Sequence, residues 1–178
     1  SWFARNYPNA SNADWVAWFS TFTLPQPLPE PPKGFRVLID PGHWAANPTD
    51  AKREGRLLPA QLPNGKQDTL YEAMLNLHTA FLLKDLLEEK GYLVQLTRNK
   101  PGSSLGMTFM DWFQNHRFQT LALALKEGIV DENTAQQLKK TARPDRWHPA
   151  LFHHMDLWYR IHKAKNFQPH VVISIHFN

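Results

Sequence analysis

Residues Arg36 to Ile39 form a short β-branched and apolar run, cut off by Asp40, Pro41 and Gly42 and followed at once by His43. Such a run, bounded by turn residues, predicts a buried strand over 35–40 with His43 projecting from its carboxyl end. Asp68 or Thr69 then opens a helical pattern that lasts to Lys90, with Gly91 as its stop signal. Tyr71, Met74, Leu75, His78, Leu82 and Leu86 are the expected buried side of this helix. A second strand is expected over 92–97. Strand, crossover helix and strand in this order make a parallel, right-handed unit. With a further apolar run at 171–177, the fold class is α/β: a mostly parallel twisted sheet flanked by helices, with an inserted helical hairpin.

In open α/β sheets the carboxyl ends of the strands line the ligand crevice. His43 and His176 both fall at such ends, and Glu72 lies near the start of the helix between them. Two imidazoles and one carboxylate leave a tetrahedral zinc with an open fourth position, the catalytic rather than the structural pattern. Two readings compete for Glu72. It can ligate the metal, or it can close a capping box with Thr69 by reaching back to the cap's backbone amide. Ligation is preferred. Asp40, Pro41 and Gly42 alone would be an ordinary turn, and a lone strand histidine is usually packed or hydrogen-bonded. The three residues gain weight only together.

The chain resembles the zinc-dependent N-acetylmuramoyl-L-alanine amidases that open with an Asp-Pro-Gly-His motif. The resemblance rests on DPGH at 40–43, the sequence around Glu72, LTR at 96–98, Arg160 before the last strand, and SIHFN at 174–178. It covers 35–98 and 157–178. It implies one zinc held by His43, Glu72 and His176, and cleavage of the amide between N-acetylmuramic acid and L-alanine in peptidoglycan. It also implies a periplasmic or extracellular location, an expectation that rests on the resemblance alone because no secretory signal stands at Ser1. Two departures accompany it. Trp44 stands where the family usually has glycine, which alters that side of the cleft. The family's catalytic glutamate follows the SIHFN-like segment, so it is expected downstream of Asn178, and no residue here takes that role.

Residues 1–34 form an aromatic- and proline-rich segment. Trp15, Trp18, Phe19 and Phe22 recur at helical spacing and suggest a helix over about 12–21, and five prolines between 25 and 32 force an extended linker. A zinc amidase-like domain is expected over 35–178, interrupted by a helical insertion at about 99–149. Within it, 108–127 and 131–141 are the expected helices and Gly128 ends the first. Residues 45–67 are expected to be a long polar loop, and 155–166 a helix leading into the last strand.

Arg160 has two candidate roles, bidentate binding of a substrate carboxylate or pairing with an acid in the fold, and the second is preferred. His153 and His154, adjacent in a helix, diverge by about 100° and do not converge on one ion. Glu88 and Glu89 lie roughly 25 Å along the helix from Glu72, too far to serve as its general base. Glu127 and Glu132 reach the cleft only if the insertion folds over it as a lid, on which a regulatory protein would act.

The net charge of +4 favours anionic surfaces. No Lys/Arg-rich run or RNA-binding aromatic motif supports nucleic acid, and no apolar stretch approaches the ~20 residues that span a bilayer. Without cysteine there are no disulfides, and any zinc must take nitrogen and oxygen ligands. The alternatives to the amidase are a catalytically inactive peptidoglycan-binding module and a zinc exopeptidase on a similar scaffold.

Overall fold

The computed structural model describes residues 31–61, 65 and 67–177. The expected N-terminal helix and most of the linker after it lie outside the described residues.

β1 (Arg36–Pro41) is the middle strand of a three-stranded parallel sheet, flanked by β4 (Leu93–Leu96) and β5 (Val171–Ile175). Val37, Leu38 and Ile39 are all buried, as a parallel strand covered on both faces requires. On one face Val37 and Ile39 pack with Leu96 against Ala80 and Leu87 of α2 (Glu72–Glu89). On the other, Asp40 meets Arg160 of α7 (His153–Phe167). The register pairs Ile39 with Leu96 on one side and Pro41 with Ile175 on the other. His43 and His176 therefore leave neighbouring strand ends side by side.

The expected loop over 45–67 is instead structured. It holds α1 (Pro48–Glu54) and an antiparallel hairpin of β2 (Leu57–Gln61) and β3 (Gln67–Tyr71). Local signals explain the helix: Asn47 caps it by accepting from the Asp50 amide, Pro48 starts it, and Gly55 ends it at φ 70°. Asn64-Gly65, between the two strands, is a common hairpin sequence.

α2 starts at Glu72, because Thr69 to Tyr71 belong to β3, and its cap residue Tyr71 makes no side-chain bond. The capping box does not form. The buried face also differs from expectation. Leu82 and Leu86 are 55% and 61% exposed, whereas Ala73, Leu77 and Ala80 are buried. Small residues at the sheet-facing positions allow close approach, so the largest apolar side chains are not the ones that mark the contact.

The expected helix over 108–127 is two helices, α3 (Phe109–Asn115) and α4 (Arg117–Lys126), separated at His116. The bend lets Trp112 and Leu121 enter one core. α5 (Glu132–Lys139) is capped by Asp131, whose carboxylate accepts from the Thr134 amide. α6 (Pro144–Trp147) and a π-helical turn (His148–Phe152) run directly into α7. The region is thus a bundle of short helices rather than a simple hairpin. Its core is aromatic, built around Phe109, Trp112, Trp147 and Phe152, and among the described residues the only member from earlier in the chain is Trp44.

Candidate metal centre

Backbone groups that no strand or helix can serve are held here by buried cations. His43 adopts a left-handed conformation at φ 61°, which a non-glycine residue keeps only where its surroundings enforce it. The carbonyls around it supply that enforcement. Pro41 O accepts from Arg98 Nε at 3.1 Å and from Arg160 Nη1 at 2.8 Å. Gly42 O accepts from Asn76 Nδ2 and from Arg98 Nη2, both at 3.0 Å. His43 O accepts from Arg160 Nη2 at 2.7 Å.

Arg160 also donates to Asp40 at 2.7 Å and Asp156 at 2.8 Å. Burial pulls its pKa down, but those two carboxylates more than offset this and leave it raised. Arg98 has no such carboxylate bonded to it. Burial first, and then the charge of Arg160, push it down to about 10, still protonated at neutral pH. Arg160 is 7% exposed and its bonds go to protein acceptors. These contacts are those of the pairing role.

The three residues expected to share a metal are brought together. Glu72 Oε1 lies 3.1 Å from His43 Nε2 and 3.5 Å from His176 Nδ1. One ligand atom from each of the three lies within 4.8 Å of the others. In a tetrahedral zinc site with bonds of about 2.0–2.1 Å, neighbouring ligand atoms sit about 3.3 Å apart. The spacing fits. So does the chemistry of the donors: His43 Nε2 and Glu72 Oε2 are buried without a hydrogen-bond partner, a cost that a cation between them would remove.

Glu72 is 1% exposed, and its Oε1 accepts from the Phe177 amide at 3.0 Å, which ties the α2 carboxylate to the end of β5. His176 is 42% exposed, so the cluster opens to solvent on its side. Gly42 makes that approach possible. A Cβ built there would fall 2.2 Å from Cε1 of the His176 ring.

Other expected residues stay apart. His153 and His154 are exposed, and Glu127 and Glu132 are exposed without joining the cluster. Trp44 turns away from the cluster and is 1% exposed, its ring 4.8 Å from Phe152 and 6.0 Å from Phe109. Three participants went unnoticed in the sequence: Glu54, Asn76 and the carbonyl-binding role of Arg98. For Arg98 the signal was its place directly after a strand end; for Glu54 it was an acidic residue at the wrong end of a short helix.

Two histidines at the carboxyl ends of parallel strands and a glutamate at the start of α2 form one cluster with a side open to solvent, a donor set that could hold a metal ion. Residues 37–178 match the family described as N-acetylmuramoyl-L-alanine amidase, and the chain belongs to that family. The family's activity is hydrolysis in peptidoglycan. No curated protein and no solved structure matched the chain. Among the described residues no helix is long and apolar enough to cross a membrane.

Proposed function

We propose that the protein is a zinc-dependent amidase that cleaves the bond between N-acetylmuramic acid and L-alanine, working at the cell wall in the periplasm or outside the cell. The observation that carries this reading is the convergence of His43, Glu72 and His176 from three separate elements, with two of their donor atoms buried without a hydrogen-bond partner. Zinc in such a set supplies Lewis acidity and a lowered water pKa. The chain's own residues do the rest of what can be assigned. Arg98, Arg160 and Asn76 fix the loop that carries His43. Glu72 brings the negative charge, and the exposed face of His176 leaves room for a substrate carbonyl. No other described carboxylate joins the cluster, so none is assigned as the base that takes the proton from water.

Chelator-washed protein reloaded with zinc is expected to hold one zinc per chain, lost in both His43→Ala and His176→Ala. The zinc-loaded protein is expected to release new L-alanine amino termini from muramyl peptides and none from the same peptides without the sugar. Cleavage of the free peptides would instead favour a zinc exopeptidase. Retention of muramyl peptide without cleavage would favour a binding module. A folded chain that takes up no zinc would overturn the reading.

A further inference from the structure

The segment expected to be a loop returns a carboxylate to the back of the metal cluster. Glu54 is the last residue of α1, and its side chain is 6% exposed. Its Oε1 lies 3.4 Å from His43 Nδ1 and accepts from the Trp44 amide at 3.1 Å. Its Oε2 accepts from the Ala45 amide at 3.0 Å and from Trp44 at 3.3 Å. The two ring nitrogens of His43 thus face two different carboxylates, Glu72 at Nε2 and Glu54 at Nδ1.

We propose that Glu54 is a positioning residue for the metal centre: it holds the His43 proton on Nδ1 and turns the ring so that the Nε2 lone pair faces Glu72 and His176. A neutral imidazole carries one N–H, and whichever nitrogen finds an acceptor decides which one is left for a metal. Here the carboxylate behind the ring is Glu54, 3.4 Å from Nδ1, while Nε2 is buried with no hydrogen-bond partner although Glu72 Oε1 lies 3.1 Å away. A carboxylate placed behind a ligating histidine in this way fixes its tautomer and orientation and raises its basicity.

The placement is not what helix stability alone would select. A carboxylate at the end of a helix faces the negative pole of the helix dipole, where a cation is favoured. α1 nevertheless ends on Glu54, with Lys52 and Arg53 just before it and Gly55 turning the chain at φ 70°. The helix is fixed from beneath, since Ala51 packs with Ala45 and Ala73. Glu54 is therefore delivered by a rigid element and not by a mobile loop. By binding the amides of Trp44 and Ala45 it also sets the chain direction immediately after His43.

This inference rests on His43 being a metal ligand, and the test separates the two. Zinc affinity is measured by chelator competition for the wild type and Glu54→Gln, beside the melting temperature of each without metal. Glutamine keeps the size and one acceptor oxygen but loses the charge and the second acceptor. The expected result is a 10- to 100-fold lower zinc affinity at unchanged stoichiometry, with a metal-free melting temperature close to wild type. Equal affinity in the two proteins, or a loss confined to the melting temperature, overturns the role of Glu54 and leaves the metal centre standing. A wild type that binds no zinc overturns both. Long-range proton–nitrogen correlation on the metal-free wild type needs no variant to fold. It is expected to show the His43 proton on Nδ1, and a proton on Nε2 overturns the proposal.

Discussion

The sheet layer and the helical region solve burial in opposite ways. Around β1 the apolar core is modest, made of Val37, Ile39, Ala80, Leu87 and Leu96. Beside it, Asp40, Arg98, Asp156 and Arg160 form a polar stratum that holds the carbonyls of the His43 loop. The helical region buries large aromatic side chains with few charges among them. Its indoles are served locally, Trp112 by Thr120 Oγ1 and Trp147 by Thr141 O, each at 3.0 Å. One layer uses its interior to position a site; the other uses it to be stable. Trp44 joins them, with its backbone held by Glu54 beside the cluster and its ring in the aromatic core.

The comparison implies that stability and metal binding can be damaged separately. Trp112→Ala, in the aromatic core and wholly buried, is expected to cost about 3–5 kcal/mol in denaturant unfolding. Zinc affinity measured below the unfolding transition should stay within about threefold of wild type. A parallel loss of zinc would show that the helical region holds the metal loop in place through Trp44, and the two layers would then be one unit.

Gly42→Ala should do the reverse. The added methyl group collides with the ring of His176, and the ring has an exposed side towards which to move. Displacing one of three ligands is expected to weaken zinc binding by about 100-fold, or about 2.7 kcal/mol, with the metal-free protein destabilised by roughly 1–2 kcal/mol. Unchanged zinc affinity, read by the same competition titration, would mean that His176 does not contribute to the site in this orientation.

The same division decides what could be read from the sequence. The β1–α2–β4 unit and the last strand were legible because continuous apolar runs and turn residues are local signals. His43, Glu72 and His176 were legible because strand ends and a helix start carry them. The buried face of α2 was not, because Ala80 packs on the sheet and Ala73 against Ala45 and Ala51, while Leu82 and Leu86 face water. Residues 45–67 were misjudged because their polarity outweighed the cap at Asn47 and the stop at Gly55. Glu54 and Asn76 act only through partners distant in sequence or brought close by a helix, and nothing periodic marks such residues.

The smallest expected effect concerns a histidine packed among the aromatic rings. His148 packs among Trp44, Phe109 and Phe152, and its Nε2 has no hydrogen-bond partner. Burial, only partly opposed by the negative charge of Glu54 and reinforced by His153 and Arg53, pushes its pKa down to about 4. Because the folded value lies below the unfolded value of about 6.5, the unfolded chain takes up the proton first as the pH falls. The associated stability is complete above about pH 6.5 and is lost progressively towards pH 4. Allowing for solvent screening of a half-buried ring, the loss at pH 5 is about 1 kcal/mol. His148→Phe removes this proton uptake, so its melting temperature should fall less than that of the wild type between pH 7 and pH 5. Equal slopes in the two proteins would mean that the ring is protonated in the folded state as readily as in the unfolded one. The aromatic core would then tolerate charge as the sheet layer does, and the contrast between the two regions would reduce to the size of their side chains.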